Sequence, residues 1–125
     1  MKKNIAVIIL FISVIFGANA QSGVKTAGIE VYYFHGTHRC NTCNTVEKVA
    51  KEALQQYFGD QLILKSIDRE DEKNSDLVKK FEISGQALLI VKGNKKEDLT
   101  SIAFMNAERS PNRLKAKIKQ TIEKM

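Results

Sequence analysis

The stretch Ile29-Glu30-Val31-Tyr32-Tyr33-Phe34-His35-Gly36-Thr37-His38-Arg39-Cys40-Asn41-Thr42-Cys43-Asn44-Thr45-Val46-Glu47 decides the fold. Its first six residues are β-branched or aromatic apart from Glu30, the composition of a strand. From Cys43 the apolar positions Val46, Val49, Ala50, Ala53, Leu54, Tyr57 and Phe58 recur at i, i+3, i+4, a helix with one buried face. Gly59 falls where a helix C-terminal cap belongs. Cys40 and Cys43, the chain's two cysteines, sit at the junction of strand and helix. A C-x-x-C pair in that setting reads as a redox dithiol.

Outward from this unit, Gln61–Ile67 is nearly continuous in apolar character and predicts a central parallel strand covered on both faces. Residues 68–74 form a charged loop, and Ser75 is placed to cap a short helix over Asp76–Phe81. Gly85 precedes a third strand, Ala87–Val91, and Lys92-Gly93-Asn94-Lys95 is a turn. Leu99–Met105 is expected as the returning strand. Ser110-Pro111 opens a last helix, with proline at the first helical position and Leu114, Ile118 and Ile122 along one face. The order strand, helix, strand, helix, strand, strand, helix describes an α/β domain with a mixed four-stranded sheet and helices on both faces.

Residues 1–20 are of another kind. Lys2 and Lys3 precede an apolar run from Ile5 to Phe16, and Ala18-Asn19-Ala20 supplies small residues for cleavage. This describes a secretory signal peptide. The run is shorter than the roughly 20 residues a spanning helix needs, so no stable membrane anchor is expected after cleavage. The expected organisation is a signal peptide at 1–20, a short leader at 21–28 and one domain at 29–125, periplasmic or secreted. Without Lys2 and Lys3 the formal charge falls from +6 to +4. Much of the excess lies in the last segment, which has no aromatic residue after Phe104. A solvated helix face accounts for it, and a nucleic-acid surface is not expected.

Export gives the cysteines their meaning. Oxidising compartments favour disulfides, but two sulfurs this close in sequence close a tiny loop and add little chain-entropy stabilisation. The spacing favours a working disulfide over a structural one. At a helix start, unpaired N–H groups and the helix dipole favour a thiolate, and His38 and Arg39 act in the same direction. Cys40 is the expected attacking sulfur and Cys43 the resolving one. The rival use is ligation. Cys40 and Cys43, with His38, offer ligands suited to copper or zinc, and two thiolates suit arsenite. A third reading is an interaction domain whose disulfide is incidental. The loop histidine His35 reads as solvated or hydrogen-bonded, and Glu47 as a solvent-facing charge. No organic cofactor is implied, since the chain lacks a glycine-rich phosphate loop.

The Cys40–Cys43 motif, Ile67-Asp68 and Phe81-Glu82-Ile83-Ser84-Gly85 together resemble the thioredoxin-like superfamily over most of Ile29–Met125. Within it, Val31–Glu47 is similar to the exported nitrophenyl-compound nitroreductase subunit family, ArsF type. That resemblance implies electron transfer to a reductase, or a role near arsenic handling, through one specific redox protein partner. Three departures stand out. The superfamily's cis-proline place falls at Gln86-Ala87, and the chain's one proline is Pro111. The superfamily's buried carboxylate on the first strand falls on Phe34. The aromatic residue before the motif is Arg39. These departures imply a partner-specific dithiol protein, not a general protein reductase.

Overall fold

The computed structural model describes residues 26–125. The expected signal peptide and most of the expected leader lie outside them. Strand β1 (Ile29–His35) is followed by helices and strands in the order α1 (Asn41–Phe58), β2 (Leu64–Asp68), α2 (Ser75–Lys80), β3 (Ala87–Lys92), β4 (Lys95–Asp98), α3 (Thr100–Asn106) and α4 (Pro111–Glu123). The sheet order is β2-β1-β3-β4. β1 pairs parallel with β2, from Val31 opposite Leu64 to His35 opposite Asp68. It pairs antiparallel with β3, which in turn pairs antiparallel with β4. This is the expected mixed four-stranded sheet.

The period-2 geometry of β1 sorts its side chains into two cores. Ile29, Val31 and Tyr33 point to one face, where they pack with Val46, Val49, Ala50 and Leu54 of α1 and with Leu114, Ile118 and Ile122 of α4. Tyr32 and Phe34 point to the other, against Phe81, with Leu77 and Val78 of α2 beside them. Aromatic packing organises that second layer, with the Tyr32 and Phe81 ring centroids 5.2 Å apart. Burying a residue such as Leu54 or Ile118 stabilises the fold by roughly 1.5–3 kcal/mol.

Three expectations of the fold are corrected. β2 begins at Leu64, after a single 3-10 turn over Gly59–Gln61, and it lies at the sheet edge; Ile63 is 75% exposed. The strands covered on both faces are β1 and β3. The returning strand is Lys95–Asp98, and Thr100–Asn106 is a helix. Leu99, Ala103 and Ala107 are buried at i, i+4, i+8, the helical period, while the fully exposed, charged β4 carries no apolar alternation. A short charged strand protects an open sheet edge from further pairing. The short helix at α2 has Asn74 at its N-cap position, one residue earlier than expected. Among the described residues every peptide bond is trans, including that at Gln86-Ala87, and no helix is long and apolar enough to cross a membrane.

Candidate functional site: a dithiol at the start of α1

β1 ends at His35, and the chain crosses to α1 in five residues. That crossing is tied to the loop after β2. The Arg69 backbone N–H donates to the His35 carbonyl (2.9 Å). The Thr37 N–H donates to Glu70 Oε2 and its hydroxyl to Asp68 Oδ2, both at 2.9 Å. The loop that delivers Cys40 is thus anchored on a neighbouring segment.

Cys40 is the N-cap residue of α1. Its backbone is extended (φ −81°, ψ 167°), and its Sγ accepts the Cys43 N–H at 3.2 Å. A sulfur here takes the place that a serine or aspartate oxygen fills in most helices. Cys43, one turn on, faces inward and is 3% exposed, whereas Cys40 is exposed. Both are free thiols. The Cys43 side chain and then the Cys43 N–H stabilise the Cys40 thiolate, and its pKa lies below the ordinary thiol value. Burial pushes the Cys43 thiol the other way, and the neighbouring Cys40 adds to the rise. The two sulfurs are therefore differentiated: one is exposed and acidic, the other buried and basic.

Tyr33 stands behind Cys43. It is fully buried, and its hydroxyl donates to the Cys43 carbonyl at 3.1 Å. Sequence reading gave Tyr33 no role. The period-2 pattern of β1 was the available signal, because it places position 33 on the face that α1 covers.

Arg39 extends over a second group. Its guanidinium pairs with Glu47 and lies against the His35 ring, and Nη2 donates to Ser66 Oγ at 3.2 Å. His35 Nδ1 lies 2.9 Å from the Gly36 carbonyl. Arg39 Nε donates to Nδ1 at 3.3 Å, so the guanidinium meets both ring nitrogens. Glu47 is buried, not solvent-facing as expected, because β2 and the Arg39 side chain close over that turn of α1. Lys51 also pairs with it at 3.0 Å. Burial pushes the Glu47 carboxyl upward, yet Lys51, Ser66 and Arg39 together hold it below the ordinary carboxylate value. His35 is likewise buried, while His38 is exposed on the loop. The structure thus brings together Cys40, Cys43 and Tyr33 on one side, and Arg39, Glu47, His35 and Ser66 on the other. Phe34 lies in the opposite core layer.

Among the described residues, no group of three or more His, Cys, Asp or Glu side chains is placed to hold a metal ion. The thiols themselves offer two sulfur ligands. A further contact fixes the dipeptide between them: Thr42 Oγ1 donates to Glu108 Oε1 at 2.9 Å, joining the dithiol turn to the segment between α3 and α4.

No family model matches the chain, and no curated protein matches it. Among solved structures, a malarial protein aligns over 62% of this chain and 92% of its own, with 22% identity and a TM-score of 0.43. Thioredoxin O2 from Arabidopsis thaliana, in its oxidised state, aligns over 79% of this chain and 83% of its own, with 21% identity and a TM-score of 0.53. With the mixed sheet in the order β2-β1-β3-β4 and helices on both faces, that likeness gives the chain a thioredoxin-like fold.

Proposed function

We propose that this protein is an exported thiol–disulfide exchange protein, acting through Cys40 and Cys43 on a specific protein partner. The observation that carries the reading is the differentiated pair: an exposed Cys40 sulfur that accepts an α1 N–H, backed by a buried Cys43. In the reducing direction, the Cys40 thiolate attacks one sulfur of a partner disulfide. An S–S bond forms between Cys40 and the partner, and the partner's other sulfur leaves as thiolate and takes a proton from water. Cys43 then loses its proton and attacks Cys40 Sγ. The intramolecular disulfide forms, the partner's second thiolate leaves, and two electrons have passed to the partner. Oxidation of a partner dithiol is the same sequence reversed.

The helix start favours the Cys40 thiolate through the Cys43 side chain and the Cys43 N–H, whereas the Arg39 guanidinium, expected to tune the thiolate, is turned to Glu47, His35 and Ser66. The resemblance of Val31–Glu47 to the nitroreductase subunit family makes a reductase the favoured partner, with the dithiol as its electron carrier. The signal-like segment at residues 1–20 supports a periplasmic or secreted setting. In such a setting the direction of exchange is fixed by the reduction potential of the pair relative to its partner.

The test is a trap. Cys43→Ser should leave a partner disulfide-linked to Cys40, released by reductant, while Cys40→Ser should leave none. The purified protein should also show a reversible two-electron dithiol couple. Stoichiometric copper or zinc on anaerobically purified protein, lost with either serine substitution, would replace this reading with ligation. A disulfide that resists mild reductant would leave an interaction domain.

A further inference from the structure

The two sulfurs do not share one source of stabilisation. The N–H of Cys43 serves Cys40. Cys43 Sγ points into the protein, where burial opposes its ionisation. Yet the exchange proposed above requires Cys43 to become a thiolate before it can attack, and again when the disulfide is opened from the other side. A buried anion needs a hydrogen-bond donor.

The Tyr33 phenol is placed to serve. It comes from β1, a different element from the thiols, and is fully buried. Its hydroxyl sits 3.1 Å from the Cys43 carbonyl, on the same residue whose side chain is buried. The His35 ring on one side, 6.1 Å between centroids, and the core of α1 on the other hold it in place. Burial, and then the nearby Cys43, raise its own pKa, so it remains a protonated donor throughout the working range of the thiols. Glu47 is not equivalent, because its carboxylate is committed to Arg39 and Lys51.

We propose that the Tyr33 hydroxyl turns from the Cys43 carbonyl to the Cys43 sulfur as that sulfur ionises, and so promotes the resolving half of exchange. No bond to Tyr33 forms or breaks, and its proton stays on oxygen. The Cys43 proton passes to water. The assignment rests on the exchange reading for its purpose, but not for its geometry.

Two measurements test it. In Cys40→Ser protein, the titration of Cys43 is followed by the NMR shift of its labelled β-carbon. Tyr33→Phe is expected to raise the midpoint by about one pH unit, the worth of one hydrogen bond to a charged group. In the two-thiol protein, the same substitution is expected to slow release of a preformed mixed disulfide about tenfold, with far less effect on capture by Cys40. Tyr57→Phe, at the far end of α1, serves as the control and should move neither. If Tyr33→Phe does not fold, 3-fluorotyrosine placed at position 33 supplies a stronger donor of nearly the same shape and must lower the midpoint. An unmoved Cys43 midpoint in folded protein overturns the assignment. A wild-type protein that exchanges with no disulfide overturns the exchange reading instead, whatever the titration shows.

Discussion

Glu47 lies beneath the Arg39 guanidinium, with 9% of its side chain exposed against 31% for Arg39. The two partners are unequal in their access to water, so their removal should be unequal in cost. Arg39→Ala leaves a buried carboxylate with Lys51 as its remaining cation. Glu47→Gln leaves Arg39 free to turn outward. We expect Arg39→Ala to destabilise the protein by about 1–3 kcal/mol, in the range for a buried group that loses its partner, and Glu47→Gln by less. Urea midpoints at neutral pH decide the order, and a larger loss for Glu47→Gln would mean that the guanidinium is the group in need of a partner.

The same carboxylate predicts a pH dependence. Its folded pKa is below the ordinary 4.5, with burial outweighed by Lys51, Ser66 and Arg39. The native state therefore binds fewer protons at this site than the unfolded chain, and stability rises with pH across the interval. The contribution is complete above the unfolded value and disappears as pH falls through the folded one. The stability difference between wild type and Glu47→Gln should therefore shrink as pH falls through the ordinary 4.5 and on through the lower folded value. A constant difference across that window would separate Glu47 from the acid response.

What was legible in the sequence followed periodicity and composition. α1 and α4 were readable because their apolar residues recur at 3.6 and meet the core, and β1 because its run is β-branched and aromatic. Gly59, at φ +57°, was readable as punctuation. β4 was not, because an edge strand of Lys-Lys-Glu-Asp has no buried face to impose a pattern. Leu99–Met105 looked strand-like in composition, while the positions that are buried follow a helical period. At the site, the cysteines were legible from spacing, and Tyr33 and Glu47 were not. A tyrosine in a strand and a glutamate in a helix have ordinary surface or core uses. Only the packing of α1 onto β1 and β2 decides which of them is buried beside the thiols.

The place where β4 gives way to α3 makes its own prediction. The Leu88 N–H on β3 donates to Thr100 Oγ1 at 3.0 Å, and the Leu99 N–H donates to the Leu88 carbonyl at 2.8 Å. A side-chain oxygen thus completes the ladder where the backbone of β4 has turned away. Thr100→Val keeps the shape and removes the acceptor, and should cost about 1–3 kcal/mol for an orphaned buried donor. Thr100→Ser should cost less. Faster hydrogen exchange at Leu88 in the valine variant alone would locate the defect, and equal exchange in both would refute it.

Gly59 ends α1 with φ +57° and ψ −128°, a conformation that side chains with a Cβ rarely adopt. No atom stands in the way of a Cβ there, so the cost of Gly59→Ala is backbone strain alone, about 1–3 kcal/mol. Gly85 has equal space and no positive φ. Gly85→Ala should be tolerated, and stabilisation by a few tenths of a kcal/mol through the unfolded state is expected. Thermal unfolding of the two variants side by side gives the comparison. A destabilised Gly85→Ala with an unaffected Gly59→Ala would contradict the backbone argument.

The thiols carry the last prediction. Stabilisation by the Cys43 side chain and then the Cys43 N–H lowers the Cys40 pKa, while burial raises that of Cys43. Fully reduced protein treated with substoichiometric iodoacetamide near pH 7 should carry its first adduct on Cys40. Its alkylation rate should titrate with a midpoint below the ordinary 9.0. Cys43→Ala removes the thiol donor but keeps the backbone N–H, so the midpoint should rise without the site losing its preference for the anion. Peptide mapping of the first adduct is the decisive readout. Modification of Cys43 ahead of Cys40 would reverse the roles of the two sulfurs, because a buried resolving thiol that reacts first cannot be held in reserve behind an exposed one.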